Sequence, residues 1–323
     1  MSQQPTPSST FPLIDLHQDL SMHLQYAREI GQNRQTDWQL LADQSAKVVV
    51  ASAFPYPRDD NYFDPITNDQ IEHDFRLYND PAQTPAPWQV IRDRAGLRQV
   101  LADPAARGLI LHIEGLNLAG DDLWDRLERW YGLGWRSLGP VWILTNPFGG
   151  GTRDPSQGLT PLGRELLEWA AQRGVILDFA HMNAPTFWDA AKDYSQPILI
   201  THTSAQAIVP GPRSVDDQQL RRVADSGGVA GVFFAGKFLA ANGQATVGDI
   251  TKHIQHFIRV MGIEHVALGT DMGGVTTGLV RGMESLESLP SLWQALRQAG
   301  LSEREIEAVA WRNAARVLRE LLP

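Results

Sequence analysis

Eight short runs rich in branched and aromatic residues recur along the chain, at 12–16, 47–54, 109–114, 136–142, 175–181, 197–202, 228–234 and 265–271. Most are near-continuously apolar, as expected of strands covered on both faces of a parallel sheet. The segments between them carry helical periodicity. Residues 121–131 place Leu123, Trp124, Leu127 and Trp130 on one side. Residues 160–173 begin with Thr160 as a side-chain cap and Pro161 at the first helical position, and Gly174 follows the end. The segments 215–224, 247–260 and 302–322 read as helices in the same way. About eight strands alternating with helices predict a (β/α)8 TIM barrel. The rival, an open doubly wound sheet, lacks a Gly-rich dinucleotide fingerprint after its first strand.

The length of 323 residues exceeds the size at which most single cores stop growing, but α/β barrels reach it as one domain. We therefore expect one barrel over residues 11–323, preceded by a loose polar tail at 1–10. The stretch 55–87, rich in Pro, Asp, Asn and Tyr, reads as a long excursion after strand 2, a lid or pocket wall rather than a second domain. The net charge of −9 argues against nucleic acid or an anionic membrane surface as a partner. No cysteine is present, which excludes disulfides, thiolate metal sites and a cysteine nucleophile. With no basic leader and no apolar run long enough to span a bilayer, the expected location is cytoplasmic.

Polar residues gather where the strands end. Asp15, His17 and Asp19 close the first run, Glu114 the third, His181 the fifth, His202 the sixth and Asp271 the eighth. Barrel strands converge on one mouth at these ends, within roughly 10 Å. Each residue alone has an ordinary use: His17-x-Asp19 as a hydrogen-bonded pair, Glu114 as a partner for an arginine, His181 or His202 as a core histidine, Asp271 as a turn cap. Jointly they suit a divalent cation, because converging unpaired charges would otherwise be costly. Histidine and carboxylate without thiolate fit zinc or another first-row ion, and five ligand-type residues fit two ions sharing a carboxylate, an arrangement that activates water for hydrolysis. Asp178 is either a partner orienting a ligand or a turn cap. His112 shares a strand face with Glu114 and lines the interior. His23, His73, His253, His256 and His265 receive no role.

Taken in order, His17-x-Asp19, Glu114-Gly115, Asp178-x-x-His181, Thr201-His202-Thr203-Ser204, Arg213-x-x-Asp216 and Gly269-Thr270-Asp271 resemble the membrane (renal) dipeptidase family, metallopeptidase family M19. The likeness runs over nearly the whole chain, including Arg281-Gly-Met-Glu284 and Asn313-Ala-Ala-Arg-Val317. It implies an amidohydrolase-like barrel with two Zn2+ ions that hydrolyses small dipeptides through a hydroxide held between the metals. By position, His17 and Asp19 would bind one zinc, His181 and His202 the other, and Glu114 both. Arg213 would hold the dipeptide's terminal carboxylate, unless it is a surface arginine paired with Asp216 or Asp217. Asp271 would pass the proton of the attacking water to the leaving amine. Members are often homodimers, so a homodimer is a further expectation.

The chain also departs from the family pattern. A histidine expected after strand 4 is replaced in Gly139-Pro-Val-Trp142, so Trp142 is either a pocket wall for substrate or a packing residue. Ser214 stands where an asparagine is usual, and Gly273 where an aspartate is. These changes keep two alternatives open: a metal-dependent hydrolase of another small amide or lactone, and a non-catalytic binding protein on the same barrel.

Overall fold

The computed structural model describes residues 11–26, 34–53, 68–116 and 122–323. Nine strands are present among them: β1 (Leu13–Gln18), β2 (Ala46–Ala53), β3 (Trp88–Val90), β4 (Arg107–Glu114), β5 (Trp135–Gly139), β6 (Ile176–Leu177), β7 (Leu199–Thr203), β8 (Val229–Val232) and β9 (Val266–Leu268). All pairings between them are parallel. The order β6-β5-β4-β2-β1-β9-β8-β7 follows the chain around a ring, with β3 attached to β4. A parallel bridge between Asp178 and Leu199 closes the ring between β6 and β7, with the Phe179 N–H donating to Leu199 O at 2.9 Å. The expected TIM barrel is the observed fold.

One buried cluster joins residues from seven of the ring strands, among them Ile14, Val48, Ile110, Ile176, Leu199, Val229 and Ala267, to Ala314, Val317, Leu318 and Leu321. Most of its strand members lie in the first half of their strands, so the last helix, Asn313–Leu321, covers the N-terminal end of the barrel. Asn313 Nδ2 anchors that helix by donating to Ile263 O and Val266 O at 2.7 and 2.8 Å. The opposite, C-terminal end is left for a site. A larger cluster fills the layer between strands and outer helices.

The helix at Pro161–Arg173 has the expected ends: the Thr160 side chain accepts from Gly163 N, and Gly174 ends it in the left-handed region at φ 66°. Three expectations need correction. The segment 302–322 is interrupted at Ala308–Arg312 by a π-helical turn between Glu303–Glu307 and Asn313–Leu321. β3 was not foreseen, because its three residues lie beside Pro85 and Pro87 and offer no alternation to read. The fifth and eighth runs keep regular strand only at Ile176–Leu177 and Val266–Leu268. His181 and Asp271 lie beyond those strands at φ 63° and 62°, a conformation that no ladder accommodates. The tail at 1–10 and residues 55–67 of the excursion lie outside the described residues, while Asn68–Asn79 is helical.

Candidate metal centre

The C-terminal ends of β1, β4 and β7 and the turns after β6 and β9 bring the ligand-type residues together. Glu114 is the hub. Its Oε1 lies 2.8 Å from His181 Nε2, 3.2 Å from His202 Nε2 and 3.6 Å from His17 Nε2. Asp19 Oδ1 is 3.9 Å from His17 Nε2, and the His17 and His202 rings stack with centroids 3.9 Å apart. Two groups can each gather ligand atoms around an ion, His17–Asp19–Glu114 and Glu114–His181–His202, and they share Glu114. Asp271 completes a third group with His17 and His202.

Local backbone irregularities aim these side chains. The β1–β2 ladder slips between Asp15 and Gln18, and the β7–β8 ladder between Ile200 and Thr203, around His17 and His202. Such slips redirect a side chain without ending the sheet. The left-handed φ of His181 and Asp271 costs about 1 kcal/mol or more at each residue, a strain typical of functional positions. Gly269 is required where the chain passes β7, since a Cβ there would meet Thr201 O at 1.9 Å.

Two matching clamps fix neighbouring strands beneath the ligands. Asp15 accepts from Thr270 N and Thr270 Oγ1 at 2.8 and 2.7 Å. Asp178 accepts from Thr201 N and Thr201 Oγ1 at 2.9 and 2.5 Å. Each threonine immediately precedes a site residue, Asp271 or His202. Asp178 therefore orients a site residue and also caps a turn, accepting from Ala180 N at 2.9 Å. His112 sits below in the barrel interior, with Nδ1 2.9 Å from Ser137 Oγ and Nε2 3.7 Å from Asp178 Oδ2.

The donor set fits a divalent cation on chemical grounds. His17 Nδ1 and Nε2, Asp19 Oδ1 and His181 Nδ1 are buried with no hydrogen-bond partner, a costly state for polar atoms. Burial alone would push His17 down, but Glu114, Asp19 and Asp271 outweigh it and lift the imidazole to about 10. Burial, helped by Arg213, pushes His181 down to about 4, and burial with His17 and Arg213 pushes His202 well below its usual range. Burial and then Glu114 raise Asp19 well above the carboxylate range. Converging carboxylates thus demand positive charge that two of the three imidazoles do not supply as protons, and a metal ion meets that demand.

Arg213 is buried beside the centre, donating from Nη2 to His202 O at 2.9 Å with its guanidinium over the Phe233 ring. The surface pairing considered for it is absent: Asp216 caps the following helix, and Asp217 contacts His256 at 2.7 Å. Trp142 lies three residues past β5 and lines the mouth, its ring 6.1 Å from that of His181. The histidines given no role sit elsewhere in structural hydrogen bonds: His23 with Gln35, His73 with Gln25, His253 with Ala205 and Leu239, His256 with Asp217, and His265 with Gly228. A cavity of about 460 Å³ opens above the centre. Its wall includes Phe233, Lys237, Phe238 and Thr276, which the sequence did not single out because they follow strand ends without ligand chemistry.

A closed parallel barrel with a carboxylate-bridged histidine cluster at its C-terminal mouth defines the class of barrel metallohydrolases. The family model for membrane dipeptidase, peptidase family M19, matches residues 5–322, and the chain belongs to that family of peptide-bond hydrolases. It is similar to a crystallised metallopeptidase from Rhodobacter sphaeroides liganded with a phosphinate mimic of the dipeptide L-Ala-D-Ala, at 26% identity and TM-score 0.85, covering 97% of this chain and 100% of that one. A crystallised M19 dipeptidase is 27% identical with TM-score 0.83, over 97% and 99% of the two chains. An uncharacterized protein from the pqqA 5′ region of Klebsiella pneumoniae is 37% identical over 66% of this chain and 82% of its own. The chain spans about half the length of several other curated relatives. Among the described residues, no helix is long and apolar enough to cross a membrane.

Proposed function

We propose that the protein is a two-metal dipeptidase. The observation that carries this reading is the position of Glu114 Oε1, within 3.6 Å of three imidazole nitrogens contributed by three other segments. His17 and Asp19 would hold one ion, His181 and His202 the other, and Glu114 would contribute to both. Two zinc ions, by the donor types, would supply an activated water and polarise the scissile carbonyl. Arg213, already oriented by His202 O and Phe233, receives the terminal carboxylate of the substrate in its planar fork. Asp271 takes the proton of the attacking water on a carboxylate oxygen and returns it to the leaving amine.

Turnover of a dipeptide library with added zinc, repeated with chelator, tests the reading. Hydrolysis that requires metal, with about two zinc per chain, is expected. Full-rate hydrolysis by metal-free protein would refute it.

A second reading has one observation in its favour: an indole stands at the mouth, 6.1 Å from His181, where the family resemblance calls for a histidine. Trp142 offers one N–H donor and accepts no proton, which suits a different small amide or a lactone. Arg213→Ala separates the readings. It raises KM sharply for a substrate with a free carboxylate and changes little for a neutral one.

A further inference from the structure

Arg213 is not the only cation on its wall of the cavity. Its guanidinium carbon lies 5.0 Å from the centre of the Phe233 ring, Phe233 stacks on Phe238 at 5.6 Å and 16°, and the Lys237 ammonium lies 4.9 Å from the Phe238 ring. Two cations thus flank a pair of stacked rings, one buried beside the metal ligands and one at the rim. The rings fix this spacing and provide an electrostatically favourable surface for both charges.

The backbone carrying Lys237 is anchored. Gly236–Phe238 forms a tight turn, Ala235 bridges Leu279 in antiparallel fashion, and Gly236 N donates to Gly278 O at 2.9 Å. The two strips approach so closely that a Cβ on Gly236 would meet Gly278 O at 2.5 Å. Among the described residues Lys237 forms no ion pair, although it lines the cavity. The carboxylates that share this cavity, Asp19, Glu114 and Asp271, all face the histidine cluster. A single terminal carboxylate satisfies Arg213 and leaves the second cation without an anion.

We propose that Lys237 selects dipeptides whose C-terminal residue bears an acidic side chain, with Arg213 holding the main-chain carboxylate and Lys237 the side-chain carboxylate. The inference rests on the dipeptidase reading and names its substrate class. Both cations stand on one wall, so both act on the same end of the substrate. The cavity's third cation, Arg153, donates its backbone N–H to Ile143 O at 2.8 Å and so stands beside Trp142 and Ile143, on a segment separate from the one that carries Phe233, Lys237 and Phe238.

Amide isosteres isolate the charge from the shape. The metal-loaded protein is assayed on Ala-Asp and Ala-Glu against Ala-Asn and Ala-Gln, with the C-terminal residue in both configurations. The acidic member of a pair should have the higher kcat/KM by about tenfold, carried by KM, as expected for one added charge-assisted contact. Lys237→Met should bring that ratio close to unity, and Lys237→Glu should invert it in favour of Ala-Lys over Ala-Glu. Zinc content and the thermal midpoint of each variant, measured alongside, register any loss of fold, and the inverted ratio in a folded variant is independent of absolute rate. Equal kcat/KM for acidic and amide substrates in the unaltered protein, or a preference that survives Lys237→Met, would overturn the selection while leaving dipeptide hydrolysis standing. Failure to cleave any dipeptide with metal present would remove the underlying reading, and this inference with it.

Discussion

The Thr201 hydroxyl lies 2.8 Å from Nδ1 of its neighbour His202. The same oxygen is 2.5 Å from Asp178 Oδ2, and a carboxylate only accepts. The hydroxyl proton therefore goes to Asp178, and the threonine oxygen accepts from a proton on His202 Nδ1. That fixes the tautomer in which Nε2 presents its lone pair towards Glu114 and the metal centre. Thr201→Val preserves shape and removes this relay. Zinc affinity, read by competition with a chelator, is expected to fall about tenfold or more. Unchanged affinity would show that the tautomer is set elsewhere.

Asp271 stands apart from the Glu114-centred groups, although it lies within reach of His17 and His202. Asp271→Asn is therefore expected to retain metal, with activity down by about 100-fold or more, the usual contribution of a positioned proton carrier. Metal analysis beside steady-state rates checks both halves. Loss of metal in this variant would make Asp271 a ligand rather than a proton carrier.

His253 gives the fold an acid-sensitive point away from the metals. Its Nδ1 accepts from Ala205 N at 3.0 Å, just after the His202 segment, and the ring is fully buried. Burial lowers its pKa from 6.5 to about 4. Between these values the unfolded chain binds the proton more readily, so the stabilisation is complete above pH 6.5 and is lost as pH falls towards 4. The loss reaches about 2 kcal/mol at pH 5. Urea midpoints from pH 7 to 5 should therefore fall more steeply for the unaltered protein than for His253→Gln. Parallel slopes would contradict this assignment.

The barrel was legible because strands buried on both faces read as apolar runs, and the ligands because carboxylates and imidazoles are costly at strand ends without a cation. Geometry within the turns was not legible. The sequence places His181 four residues after Leu177, but the left-handed backbone that swings its ring onto Glu114 depends on contacts across the barrel. Asp178 was ambiguous for a related reason: its partner Thr201 lies 23 residues away, and only closure of the ring between β6 and β7 brings them together. Lys237 was invisible because its meaning depends on Phe233, Phe238 and Arg213 aligning along one wall.

The sharing of Glu114 between two ions is tested most directly by anomalous diffraction from zinc-loaded crystals. Two peaks are expected, one beside His17 and Asp19 and one beside His181 and His202, each in contact with a Glu114 oxygen. A single peak, or two that leave Glu114 uncoordinated, would contradict the shared-carboxylate centre.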